Sequence, residues 1–246
     1  MSIHLFFWAL LSFVPSEETW ISEKHQDRQP VDVNIPIEII NHYGEVSLRQ
    51  SEDHHFSYLA FVQKVKTDEN QVKVRFHKEE GVYKLHVLFP ELVKEKDTSR
   101  KKGRRVDLAI LIPKQMPVAV ETTLGKVHGK KIDNPLRVKT THGDVKLMIL
   151  NTLQLETLQG EIEVFFLNPH FETSPILTSR IGKLTAYFPK DSKIHVKAQT
   201  GGDLTTDYSL KVEGDLNLKI ANTIDHQNLT PVILKSAMGS IAIKKF

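Results

Sequence analysis

Leu136-Arg137-Val138-Lys139-Thr140-Thr141-His142-Gly143-Asp144-Val145-Lys146-Leu147 sets aliphatic residues two apart, then a small or polar residue (here Thr140) three positions before a glycine, then a second alternating run. Alternation at period two is the pattern of a strand with one dry face. Glycine is the residue that lets the backbone turn sharply between two such strands. The same phrase recurs in Ile37-Glu38-Ile39 to Gly44-Glu45-Val46, Val118-Ala119-Val120 to Gly125-Lys126-Val127, and Leu153-Gln154-Leu155 to Gly160-Glu161-Ile162. It recurs again in Leu177-Thr178-Ser179 to Gly182-Lys183-Leu184 and in Val232-Ile233-Leu234 to Gly239-Ser240-Ile241. The Leu177 copy is degenerate, with Pro175 where the first apolar residue belongs.

Glycines 125, 143, 160, 182 and 201 or 202 stand 17 to 22 residues apart. Self-similarity at that period is the signature of a solenoid. The expected fold is therefore all-β: a single-stranded β-helix (β-solenoid) with rungs of about 18–20 residues, each holding two strands of about seven residues and two short turns. Each rung is expected to stack on the one before it. Thr122, Thr140, Thr157, Ser179 and Ser236 then form a column able to exchange hydroxyl hydrogen bonds. The turn glycines are Gly44, Gly125, Gly143, Gly160, Gly182, Gly202 and Gly239. A β-sandwich of hairpins is the alternative, disfavoured because the chain has no Asn-Gly or Asp-Gly pair to make two-residue turns.

Working outward, residues 31–246 form the solenoid domain. Its first strand is expected at Val31-Asp32-Val33-Asn34-Ile35, with further strands at Val72–Phe76, Tyr83–Val87 and Val106–Pro113. Residues 91–105 are almost all charged and read as an exposed loop insertion. Residues 17–30 are polar, with Trp20 and Ile21 the only large apolar members, and read as a linker. No window supports a long amphipathic helix. Before the linker, Leu5 to Val14 is an uninterrupted, mostly apolar run of ten. That is the length of a signal-peptide core and too short to span a bilayer. Val14-Pro15-Ser16 supplies a cleavage site, so residues 1–16 read as a signal peptide, although Met1-Ser2-Ile3-His4 lacks Lys and Arg. The protein is accordingly expected to be exported to the periplasm, the outer surface or the medium.

The 246 residues carry a net charge of +3 and 26% charged residues, too weakly basic to imply nucleic acid. Cysteine is absent, which removes disulfides, thiolate metal sites and cysteine nucleophiles. The segments Val106–Pro113, Val118–Gly125 and Leu136–Leu147 resemble the bacterial β-strand-repeat family known as putative adhesins or toastrack proteins. The likeness is clearest from 106 to 204. The resemblance implies a β-helix on exported envelope proteins, some linked to envelope-stress signalling, and brings no catalytic residues with it.

Candidate chemistry is sparse. Asp144, Asp203 and Asp215 each follow a glycine and invite comparison with paired acids of glycoside hydrolysis. Lys126, Glu161, Lys183 and Ser240 occupy the same register, which a required acid pair would not tolerate. The twelve histidines are scattered, and adjacent His54 and His55 point to opposite faces of a strand. There is neither a Gly-x-Ser-x-Gly elbow nor a phosphate loop. The sequence thus predicts a non-enzyme with no cofactor and no metal, acting as a structural, adhesin-like or scaffold module. The alternatives are a β-helix polysaccharide-active enzyme and an envelope-stress sensor component. Lys101, Lys102, Arg104 and Arg105 are the candidate contact with an anionic surface. The expected partners are an envelope protein or an anionic cell-surface polymer, with self-association possible through end strands.

Overall fold

The computed structural model describes residues 20–65, 72–89, 104–215 and 217–246, and these contain strands and turns but no helix. In chain order the first strands are β1 (Trp20–Pro30), β2 (Ile37–Ile40), β3 (Val46–Ser51), β4 (His55–Val65), β5 (Lys73–Glu79), β6 (Val82–Leu88) and β7 (Arg105–Pro113). Next come β8 (Val118–Leu124), β9 (Val127–Ile132), β10 (Leu136–His142), β11 (Val145–Ile149), β12 (Leu153–Gln159), β13 (Ile162–Phe166), β14 (Ile176–Ile181) and β15 (Leu184–Phe188). The last are β16 (Val196–Thr200), β17 (Leu204–Thr206), β18 (Leu210–Gly214), β19 (Lys219–Thr223), β20 (Val232–Ser236) and β21 (Ile241–Lys245).

Two mixed sheets hold them, and neither closes into a barrel. The ten-stranded sheet runs β1-β4-β7-β3-β9-β11-β13-β15-β21-β17, and the eleven-stranded sheet runs β18-β19-β16-β20-β14-β12-β10-β8-β2-β6-β5. From β8 to β15 the chain alternates between the sheets, and each strand pairs in parallel with the one two places along. The register is fixed by the apolar alternation. Val118, Leu136 and Leu153 are direct neighbours, as are Val120, Val138 and Leu155. All six are buried, while Arg137, Lys139, Gln154 and Glu156 face water. A one-residue slip would exchange these sets, so burial and register enforce each other. The inward residues of both sheets meet in one continuous cluster from Ile37 to Ile243.

The stacking order departs from expectation. β2 and β3 lie between β6/β7 and β8/β9. The last pair, β20 and β21, lies between β14/β15 and β16/β17. Parallel pairing requires only that apolar residues, hydroxyls and glycines align. Ser236 aligns with Ser179 on one side and Thr200 on the other. Sequence adjacency is not part of that requirement.

Antiparallel strands finish both ends of the eleven-stranded sheet and one end of the ten-stranded sheet, whose other edge, β17, pairs in parallel with β21. β4 joins β7 and β1 joins β4, β5 joins β6, and β19 and β18 extend from β16. Residues 20–30, read as a linker, are thus an eleven-residue strand in register with β4 from Trp20↔Val65 to Pro30↔His55. Their charge suits an edge, which must repel further strands. On the inward side Glu23 meets the almost fully buried Lys64 at 2.7 Å. The expected strand at Val31–Ile35 is instead a turn: Ile35 N–H donates to Asp32 O at 3.1 Å and Asn34 N–H to Asp32 Oδ1 at 3.0 Å. Here the aspartate's local bond outweighs the alternation. The charged loop 91–105 lies outside the described residues up to 103, and Arg105 already belongs to β7.

β5 and β6 form a tight hairpin whose turn residues, Glu80 and Gly81, have φ of 50° and 77°. Two left-handed residues define the turn that Asn-Gly makes best. Replacing Glu80→Asn is expected to raise stability by up to about 1 kcal/mol, read as a higher urea midpoint at unchanged slope. A lowered midpoint would contradict this turn geometry.

Candidate functional site

The most regular feature is the corner where the chain passes from the eleven-stranded to the ten-stranded sheet. A Cβ placed on Gly125 would overlap the carbonyl oxygen of Gly44, and the same relation links Gly143 to Gly125, Gly160 to Gly143 and Gly182 to Gly160. It continues from Gly239 to Gly182 and from Gly202 to Gly239, while Gly44 itself sits against the Val106 carbonyl. All seven glycines read from the sequence therefore form one column. The φ angle requires glycine at Gly44 (124°) and Gly182 (130°). At Gly125 and Gly143 the reason is the close approach of the adjoining backbone alone.

Behind this corner the hydroxyls align as Thr122, Thr140, Thr157, Ser179, Ser236 and Thr200, all buried. Asn41 extends the column: its N–H donates to Glu121 O at 3.0 Å and its Nδ2 to Val106 O at 2.7 Å. Two members bond the glycine turn. Thr200 Oγ1 donates to Gly239 O at 2.5 Å and accepts from Gly202 N–H at 3.0 Å, and Ser236 Oγ accepts from Gly239 N–H at 3.0 Å. The other four hydroxyls have no hydrogen-bond partner among the described residues, nor does Asn41 Oδ1. The expected hydroxyl exchange along the column is thus absent. Strands spaced about 4.8 Å apart hold stacked oxygens beyond hydrogen-bonding reach.

On the solvent side of the corner lies an open groove of about 530 Å³, whose lining includes Tyr43, Glu45, Arg104, Arg105, Lys126 and Asp144. Of the cations expected to touch an anionic surface, Arg104 and Arg105 reach this groove, and Lys101 and Lys102 lie outside the described residues. Arg105 Nε donates to Asp107 Oδ1 at 2.7 Å, an oxygen that also accepts from Glu45 N–H at 2.8 Å. Lys126 stands 3.5 Å from Asp144. The groove is charge-matched rather than cationic.

The aspartates weighed for catalysis serve the backbone. Asp144 Oδ1 accepts from Glu161 N–H at 3.1 Å, and Asp215 Oδ1 accepts from Asn217 and Leu218 N–H at 2.8 and 3.0 Å. Asp203 leads into β17 and its carbonyl accepts from Ile241 N–H. Among the described residues no group of three His, Asp or Glu side chains is placed to hold a metal ion. His77 and His86 are in edge contact at 5.9 Å, and burial pushes the His86 imidazole below its usual pKa. Asp53 accepts from Ser51 Oγ, His55 N–H and Arg28, which together hold its carboxyl down at about 2. That favours the folded state above the ordinary carboxylate pKa and is lost as pH falls toward 2.

Two buried asparagines escaped the sequence reading. Asn41 anchors the first corner, and Asn134 donates to Pro113 O and Met116 O at 2.7 and 2.8 Å while accepting from Gln50 at 2.9 Å. Nothing in periodicity separates such an asparagine from a turn residue. Val127-His128-Gly129-Lys130-Lys131-Ile132 did carry a signal, since its alternation slips by one residue at the lysines.

No family model matches the chain, and no curated protein does. Solved structures with a similar arrangement include a “putative cell adhesion protein” from Clostridium sporogenes, 14% identical with a TM-score of 0.49, covering 91% of this chain and 100% of that one. A “putative adhesin” from Bacteroides fragilis is 13% identical with a TM-score of 0.45 over 91% and 97%. A “putative lipid binding protein” from Parabacteroides distasonis is 13% identical with a TM-score of 0.30 over 91% and 96%. At this level of likeness the matches carry no ligand or activity across to this chain.

The two columns respond oppositely to substitution. Gly143→Ala is expected to cost about 3 kcal/mol or more, because a backbone carbonyl must move to admit the methyl group. Thr140→Val, which removes a buried hydroxyl without a partner, is expected to be neutral or to stabilise by about 1 kcal/mol. Thermal unfolding of both variants checks the pair. A tolerated alanine, or a valine costing as much as the alanine, would contradict the geometry of the corner.

Proposed function

We propose that the chain winds as a β-solenoid and works as an exported, non-catalytic module of the bacterial envelope, presenting its flanks to a surface partner in the manner of an adhesin. One observation carries this reading: the repeated sequence feature builds a corner, not a reaction centre. Seven glycines contributed by segments from Gly44 to Gly239 converge on one backbone column. The polar side chains beside it spend their bonding capacity on neighbouring amides and on each other. Parallel pairing of every second strand supports the winding, because hairpin-connected strands would pair antiparallel with their neighbours.

The resemblance of Val106–Pro113, Val118–Gly125 and Leu136–Leu147 to toastrack proteins supports an envelope location. The apolar run Leu5–Val14 supports export with cleavage after Ser16. Among the described residues no helix is long and apolar enough to cross a membrane. The partner is an envelope protein or an anionic surface polymer, and end strands offer a route to self-association.

Purified protein is expected to bind isolated envelopes saturably and to release no soluble sugar from a panel of glycans. Its native N-terminus by mass spectrometry should be Glu17. Steady release of reducing ends from any glycan would overturn the non-catalytic reading, and a mature chain still carrying Met1 to Ser16 would overturn the export step.

A further inference from the structure

Strand β9 carries an extra residue. Val127, Gly129 and Ile132 are buried, so the two lysines between the last of them cannot alternate, and both Lys130 and Lys131 are exposed. The ladder to β11 shifts at this point, where the two lysines stand opposite the single residue Met148. Lys131 has φ of 54°, a left-handed conformation that lysine adopts only against its preference. Such a bulge re-aims side chains. Here it turns two adjacent cations to the same side of the sheet.

A third cation joins them. Arg49 on β3 is the direct cross-strand partner of Lys130 and is also exposed. Like charges placed directly opposite are destabilising, and elsewhere on this face the fold avoids the problem. Lys146 lies 2.6 Å from Glu163, His128 3.5 Å from Glu45, Lys244 3.3 Å from Asp207 and Arg105 2.7 Å from Asp107, while Arg28 pairs with Asp53. Among the described residues the side chains of Arg49, Lys130 and Lys131 have no carboxylate within 4 Å and make no hydrogen bond. The nearest acid in sequence, Asp133, makes no ion pair with them, and its N–H donates to Gln50.

On the far side of Arg49 the sheet surface falls into an open groove of about 570 Å³. Its lining includes the small residues Ser47, Ser57 and Ala109, the apolar Leu59 and Leu111, and, from β1, Asp27 and Arg28. Register places Arg28, Ser57, Leu111, Arg49 and Lys130 in a single row across β1, β4, β7, β3 and β9. Four strand spacings make that row about 19 Å long.

We propose that this row binds one strand of an acidic glycan, its carboxylate or sulfate groups on Arg49, Lys130 and Lys131 and a sugar face on Leu59 and Leu111. The groove and the row beside it, about 19 Å long, suit a single polymer strand over a bilayer, because the charges are set along one line. An anion from outside the protein completes the three cations, which have no acidic partner among the described residues. The proposal deepens the adhesin-like reading by naming a ligand class and a site, and it rests on that reading for a ligand outside the cell.

Binding of the full chain to immobilised polygalacturonate, dextran sulfate and neutral dextran, with phosphatidylglycerol vesicles as a further arm, tests it. The wild type is expected to bind at least one acidic polymer and not dextran, and the pattern tells carboxylate from sulfate. Combined Arg49→Gln, Lys130→Gln and Lys131→Asn should weaken that binding roughly tenfold or more and flatten its salt dependence, with the thermal midpoint held. Asparagine keeps the left-handed position at 131 accessible. Lys126→Gln, whose lysine pairs with Asp144, should leave affinity unchanged. The proposal fails if the triple variant binds like the wild type, if dextran binds equally, if vesicles are the better ligand, or if no polymer binds. Binding to isolated envelopes separates the two levels: envelope binding that persists in the triple variant removes this site and leaves the adhesin-like role, whereas its absence in the wild type removes both.

Discussion

The close approach of backbone to backbone at the glycine corner is the constraint on which the rest depends. Each carbonyl in the column occupies the space where the next residue's Cβ would stand. Only a hydrogen fits, so strands can sit at hydrogen-bonding distance on both sides of the turn at every level. The apolar alternation of β8, β10 and β12 supplies the free energy, at about 1.5–3 kcal/mol for each fully buried aliphatic side chain. Without the corner those faces could not lie above the inward faces of β9, β11 and β13.

The same constraint explains how the chain can stack out of sequence order. A level is defined by what it offers its neighbours: two or three inward aliphatics, a small hydroxyl residue and a glycine. Val232–Ile241 offers that set as well as Leu136–Val145 does, and Ile37–Val46 offers it with Asn41 in the hydroxyl's place, so both can be enclosed after the chain has gone past. Enclosure leaves the outermost levels to strands that do not carry the phrase. There β4 pairs antiparallel with β7 and β5 with β6, and stacked aromatics, Phe56 on Phe76 at 4.9 Å and Phe76 on Tyr83 at 5.8 Å, close the end of the core. Aromatic area does at the end what repetition does in the middle.

What could be read from the sequence follows from this division. The strands of the repeated phrase, the glycine column and the hydroxyl column are legible because each depends on a local pattern repeated at fixed spacing, whereas β4 carries no copy of it. The stacking order is not legible, since any two copies of the phrase are interchangeable partners and nothing local names the neighbour. β1 was missed for a different reason. Trp20-Ile21-Ser22-Glu23-Lys24-His25 lacks apolar alternation because an edge strand at the end of a core buries little, and its inward Glu23 is accommodated by Lys64 instead. Val31–Ile35 misled in the opposite sense: alternation was present, but Asp32 captures the amides of its own turn. The charge cluster at 101–105 stands out by density alone, whereas Arg49 and Lys130–Lys131, without an acidic partner among the described residues, are separated by some eighty residues and meet only through register.

That contrast bears on where a fold of this kind can hold function. Residues in the corner and the core are fixed by packing, and changing them changes the architecture. Outward positions are free, and the ladder brings them together across strands in rows unrelated to sequence distance. A protein built this way can neutralise each row by alternating sign, as Lys146 and Glu163 do, at no cost to folding. Where it instead inserts a residue to bring a second lysine outward, and leaves an arginine beside the pair, local electrostatics and backbone preference both work against stability. What marks this place out is the coincidence of the bulge, the left-handed Lys131 and the directly opposed Arg49 and Lys130, a combination that an anion from outside the chain would compensate.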